Sequence, residues 1–98
     1  MVRWTRCARI APGKEAQAIQ WAKELTDWAN KKYSGHLDVF MDCFGELGTL
    51  RWFADFENLG AVETRMQQVL ADPEYLQRVS QVPALFQSGA FDTVMTTL

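Results

Sequence analysis

Arg6 stands on the parity of Val2, Trp4, Ala8 and Ile10, the apolar side of an alternating segment, where a charge is out of pattern. A guanidinium beside Trp4 and, across a sheet, Trp52 could grip a carboxylate, phenolate or enolate oxygen and stabilise negative charge developing there. It could equally run its stem along the apolar wall to the sheet edge, or pair with a carboxylate on a helix. His36, the single histidine, has the titration range of a general base, yet its place after Gly35 also suits an exposed turn residue. Asp42 and Arg51 have the types for an acid–base element and read most simply as an ion pair between neighbouring strands. Tyr75 packs its ring near the start of a helix with its hydroxyl at the rim, where it could donate to a bound molecule. Cys7 and Cys43 lack the spacing of a zinc framework; both read as small buried hydrophobes of a reducing compartment.

These side chains need elements to hold them. Residues 2–10 alternate as a strand that Pro12-Gly13 ends. Residues 14–33 read as a helix with one stripe of Ala18, Trp21, Ala22, Leu25, Trp28 and Ala29, stopped by Ser34-Gly35. Residues 36–44 and 49–56 read as strands joined by Gly45-Glu46-Leu47-Gly48. That loop predicts Phe44 opposite Thr49, Asp42 opposite Arg51, Phe40 opposite Phe53 and Asp38 opposite Asp55. Asn58 suits the cap of a helix over 59–71. Asp72-Pro73-Glu74 signals a further helix, ended near Pro83. Leu85 and Phe86 tuck under the fold, and residues 90–97 form a last strand.

The order strand, helix, strand, strand, broken helix, strand predicts an α+β, ferredoxin-like β-α-β-β-α-β fold in one domain over residues 1–98. Its four-stranded antiparallel sheet has order 4-1-3-2, with the helices on one face. Leu37, Val39, Met41, Trp52, Ala54 and Phe56 then meet the helices. The opposite face carries His36, Asp38, Phe40, Asp42, Phe44, Arg51, Phe53 and Asp55, with Arg3, Thr5, Cys7 and Arg9 alongside. Asp38 against Asp55 calls for a cation, which Arg3 or Arg9 could supply. Phe among charges is too apolar for open solvent and too polar for a core. The preferred reading is a surface that meets its own copy across a two-fold axis; a solvated face of ion pairs and a ligand surface are the alternatives.

Composition narrows the partners. A net charge of −2 argues against nucleic acid, which needs clustered excess Lys and Arg. No stretch approaches the ~20 apolar residues of a membrane span, and Met1-Val2-Arg3-Trp4 opens no signal peptide, so the expected location is the cytoplasm. Four Trp and six Phe in 98 residues are enough flat apolar area to line a cavity or an interface as well as a core.

Three segments carry a family resemblance: Arg9-Ile10-Ala11-Pro12-Gly13-Lys14-Glu15 entering the first helix, Phe56-Glu57-Asn58-Leu59-Gly60-Ala61 opening the second, and Ala71-Asp72-Pro73-Glu74-Tyr75 leading to Leu85-Phe86-Gln87-Ser88-Gly89. With these the chain resembles the dimeric α+β barrel superfamily, in its NIPSNAP-like and antibiotic-biosynthesis-monooxygenase-like branches. The resemblance implies a homodimer whose sheets face each other, with a small-molecule ligand between helices and sheet. It includes cofactor-independent oxygenases of aromatic or polyketide substrates, isomerases and haem-degrading members. The Asn, Trp and His set of the last has no counterpart here, because no Asn lies in a strand and His36 begins one. No cofactor or metal is implied, and no catalytic residue is carried over. The candidate cleft residues are Arg6, Trp4, Trp52 and Tyr75. Residues 51–56 also resemble the third-strand motif of RNA-recognition domains, but Trp52 replaces its Gly and Asp55 puts negative charge where RNA would lie.

Overall fold

The chain turns where the sequence places its breakers. In the computed structural model, which describes Met1 to Leu98, β1 (Val2–Arg9) leads through Pro12 and a left-handed Gly13 (φ 79°) into α1 (Glu15–Lys32). Glu15 in the first turn and Lys31 and Lys32 in the last suit the helix dipole. β2 (Leu37–Met41), β3 (Thr49–Phe56), α2 (Leu59–Leu70), α3 (Pro73–Val79), the single turn α4 (Val82–Leu85) and β4 (Phe91–Thr96) follow. The Asn58 side chain accepts from Ala61 N at 2.9 Å and Asp72 from Glu74 N at 3.0 Å, so both expected caps are made. Pro83 departs from expectation: α3 has already ended at Val79, and Pro83 occupies the first turn of α4, where a missing N–H costs nothing.

All strand pairs are antiparallel, in the order β2-β3-β1-β4. This is the ferredoxin-like sheet the element order demands. The hairpin register differs from expectation by two residues. Val39 faces Trp52, Phe40 faces Arg51 and Asp38 faces Phe53. The strands stop at Met41 and start at Thr49, with Gly45 and Gly48 at φ 95° and 78° in a longer loop. An even shift leaves every side chain on its original face, so the two faces are as expected although the partners are not. Met41, at the end of β2, is the exception: it is exposed rather than covered by the helices. The Asp38–Asp55 clash never arises. Asp55 instead faces Arg3, which grips it through Nε at 2.8 Å and Nη2 at 3.1 Å.

The core fills one end of the sheet. Ala8, Ile10, Leu50 and Trp52 pack with Ala18, Ala22, Leu85 and Phe86. Ile10 bridges to Phe86, and Gln87 N donates to Arg9 O at 2.8 Å, so the segment after α4 tucks beneath the sheet end as expected. The helix stripe divides in two. Its alanine edge, with Ala18 and Ala22 almost fully buried, lets α1 approach the sheet closely. Its other edge, Trp21, Leu25 and Trp28, borders a cleft, with Trp21 also packed against the core. Asn30 near the end of α1 fastens β2 by two bonds to one residue: Nδ2 to Leu37 O at 2.9 Å and Leu37 N to Oδ1 at 2.7 Å. No helix is long and apolar enough to cross a membrane.

The opposite face pairs its arginines with carboxylates, Arg3–Asp55, Arg51–Asp42 at 2.9 Å and Arg9–Glu46 at 3.4 Å, and sets His36 within hydrogen-bond distance of Asp38 at 2.7 Å. Phe40 and Phe53 meet edge to face at 5.6 Å, and Phe40, Phe91 and Met95 are exposed. Of the two cysteines, Cys7 is buried between its register partners Arg51 and Phe91, whereas Cys43 is exposed, against expectation, because the longer loop carries it out of the ladder.

Candidate ligand-binding cleft

Where the core stops, the helices stand away from the sheet and leave a cleft of about 1180 Å³. Its floor is the inner face of β1, β3 and β4; α1, α2 and α3 form its walls. All four tryptophans of the chain line it. Each indole N–H is already engaged. Trp4 donates to Asp92 Oδ2 at 3.1 Å, Trp21 to Arg78 O at 2.9 Å, Trp28 to Glu74 Oε2 at 2.8 Å and Trp52 to Thr26 Oγ1 at 3.2 Å. The polar edges of the rings therefore hold the fold together, and what they offer the cleft is flat apolar area. Trp52, only 4% exposed, meets Trp21 edge to face at 6.3 Å, so the deepest wall is a rigid aromatic corner.

One polar cluster lies on this floor. Arg6 is on the inner parity, as its position in the alternation requires, and β4 brings Asp92 opposite it. The guanidinium holds that carboxylate with Nε at 2.6 Å and Nη2 at 2.8 Å, lies over the Trp4 ring at 5.2 Å, and donates from Nη1 to Tyr75 Oη at 3.3 Å. The Asp92 bonds, against the opposing effect of burial, hold the Arg6 pKa far above its ordinary value. For Asp92 burial pushes upward, but the bonds from Arg6 and Trp4 outweigh it and leave the carboxyl below its usual range. Because Tyr75 Oη accepts from Arg6, its own proton is free to point elsewhere, as a donor backed by a cation.

The cleft thus brings together Arg6, Trp4, Trp52 and Tyr75, and adds Asp92, the carboxylate that composition and local pattern did not single out. Asp92 is the one charged residue in the segment 90–97, and pairing that segment with the first strand would have set it against Arg6. His36 is not part of the cluster. It lies at the far end of the cleft lining, mostly exposed and bonded to Asp38. Asp42 and Arg51 form a bidentate ion pair on the other face, with the Arg51 bond holding the Asp42 carboxyl below its usual range. No group of three or more His, Cys, Asp and Glu side chains is placed to hold a metal ion.

A second polar junction supports the cleft wall. Asp72, buried at 6% exposure, caps α3 while accepting from Lys32 at 2.8 Å and from the Tyr33 hydroxyl. The Lys32 bond, then Tyr33, then the Glu74 amide, working against burial, draw its pKa down to about 2. Glu74 adds bonds to Trp28 and Lys32, so the end of α1 and the start of α3 form one unit around Tyr75.

Fold and cleft together define an α+β sandwich open along one side. No protein-family model matches the chain, and no curated protein matches it in sequence. Solved structures do. An uncharacterised NIPSNAP domain protein from Burkholderia xenovorans has a TM-score of 0.85 at 13% identity, covering 100% of this chain and 95% of that one. A NIPSNAP family protein from Agrobacterium tumefaciens has a TM-score of 0.85 at 15% identity, covering 99% and 92%. An antibiotic biosynthesis monooxygenase has a TM-score of 0.76 at 14% identity, covering 100% and 99%. The likeness extends over the whole chain and establishes the shared ferredoxin-like fold.

Proposed function

We propose that this protein binds a small, flat, largely apolar molecule of the aromatic or polyketide-like class in the cleft between sheet and helices. The observation that carries this is the lining: mostly apolar, it sets four indoles with every N–H already bonded beside a hydroxyl donor, Tyr75 Oη, that rests on Arg6 of the floor. Such a surface suits a ring system bearing one oxygen acceptor. Calorimetric titration with 2-naphthol tests it. Saturable binding is expected, abolished by Ala54→Phe, which fills the floor of the cleft. Absence of saturable heat from the wild-type protein refutes the reading.

A second reading adds turnover, in the manner of a cofactor-independent oxygenase or isomerase. A hydroxyl donor backed by a guanidinium stabilises a phenolate or enolate oxygen, and one of the similar structures is named a monooxygenase. Consumption of oxygen with a hydroquinone, lost in a folded Arg6→Ala variant, supports turnover. A flat oxygen trace with a bound hydroquinone leaves a non-catalytic dimeric accessory or scaffold module.

We infer that two copies associate through the face opposite the helices. Its arginines are neutralised by their own carboxylates, leaving Phe40, Phe53, Phe91 and Met95 as apolar surface that a second copy can cover. Light scattering is expected to give twice the 11.2 kDa chain mass at micromolar concentration. A mass of one chain overturns the inference.

A further inference from the structure

An arginine on the floor of an aromatic cleft would ordinarily mark a site for an anion. Here the arrangement says otherwise. Two of the guanidinium's three nitrogens, Nε and Nη2, close a planar two-point contact with Asp92, and the third reaches Tyr75. The carboxylate is itself saturated on this side, since Oδ2 also accepts from Trp4. The cluster has no net charge, and both partners are about two-thirds withdrawn from water, with side-chain exposures of 32% and 31%. Bringing a carboxylate into that setting would place it within reach of Asp92, with the attraction of Arg6 already offset and its hydration lost. A neutral carbonyl or hydroxyl suffers no such repulsion and still meets the Tyr75 proton.

We propose that Asp92 is the specificity-determining residue at the Tyr75 end of the cleft: by neutralising Arg6 it favours an uncharged oxygen there and disfavours a carboxylate. This rests on the ligand-binding reading above. It assigns Asp92 a role separate from that of Tyr75. The tyrosine recognises the oxygen, and the aspartate decides what charge that oxygen can carry. The position of Asp92 on β4, directly opposite Arg6 in the register, fixes the pairing through the sheet rather than through a mobile loop. Replacing it with Asn keeps the shape and one acceptor but leaves the guanidinium with its full charge and a free donor facing the cleft.

The test is calorimetric titration at pH 7 with three probes that share a ring: neutral 2-naphthol, anionic 2-naphthoate and cationic 2-naphthylmethylammonium. The wild-type protein is expected to bind naphthol at least about tenfold more tightly than either ion. Asp92→Asn is expected to raise the ratio of naphthoate to naphthol affinity about tenfold or more. Arg6→Met removes the cation instead, and is expected to favour the ammonium probe and leave naphthoate excluded. If the wild-type protein binds 2-naphthol but discriminates against neither ion, the charge assignment is overturned while the cleft reading stands. The same holds if a folded Asp92→Asn leaves the naphthoate-to-naphthol ratio unchanged. If no probe binds, both fail together. Should Asp92→Asn not fold, the wild-type ratio and the Arg6→Met pattern decide the matter.

Discussion

Replacing Asn30 with Asp changes one atom and tests how the edge strand is held. In the native chain the Asn30 amide imitates a neighbouring strand, accepting from Leu37 N at 2.7 Å and donating to Leu37 O at 2.9 Å. A carboxylate keeps the acceptor and turns the donor into a second oxygen facing a carbonyl. Losing that bond while leaving a part-buried carbonyl unpaired costs about 1–2 kcal/mol. A negative charge in the last turn of α1 adds about 0.5 kcal/mol against the helix dipole. A total near 2 kcal/mol is a large share of the ~5–15 kcal/mol that stabilises a domain of this size. At roughly 4–8 °C per kcal/mol the melting temperature should fall by about 8–16 °C, followed by far-ultraviolet circular dichroism. The deficit should narrow at pH 4, where the protonated acid regains a donor. Hydrogen exchange at the Leu37 amide should accelerate in Asn30→Ala, which removes both bonds. A fall of less than about 3 °C at pH 7, or a deficit that widens on acidification, would refute the idea that Asn30 clamps β2.

Asp72 should give the protein an acid-sensitive joint. Its folded pKa lies below the ordinary carboxylate value, so its contribution is complete above about pH 4 and is lost as pH falls toward 2; the melting-temperature gap between wild type and Asp72→Asn should shrink across that window. A gap independent of pH would show that the Lys32 and Tyr33 bonds do not favour the ionised form. Thiol labelling of the native protein should modify one cysteine, Cys43, promptly and Cys7 only on unfolding, read by mass spectrometry. Prompt double labelling would mean that the middle of the outer face opens readily.

Much of this is legible in the sequence, and the exceptions share a cause. Arg6 was conspicuous because strand alternation is a local pattern, and Tyr75 because a helix start is marked by Asp72-Pro73. Asn58 and Asp72 cap as their types require. Asp92 was not singled out, since what makes it important is a partner 86 positions away, and no local pattern reports pairing between the first and last strands. The hairpin faces were right and its partners wrong because parity survives an even change of loop length while register does not. Cys43 followed the same error outward. The helix stripe is one surface in the sequence; only the standing-off of α2 and α3 divides it into an alanine edge buried in the core and a tryptophan edge that borders the cleft. For Arg6 the alternation suggests a carboxylate partner on a helix; a strand supplies it instead.

The placing of β1 between β3 and β4 has a consequence for how the molecule comes into being. The β2–β3 hairpin joins residues close in sequence, and nothing prevents it from forming early. The β1–β4 ladder joins Val2 to Thr96, so the inner floor of the cleft cannot close until nearly the whole of that span has left the ribosome. Until then Arg6 lacks its counter-ion, and Trp4 has no acceptor for its indole N–H. The first strand, made earliest, must wait with a charge and a tryptophan exposed. Completion of the binding surface and completion of the fold are therefore the same late event.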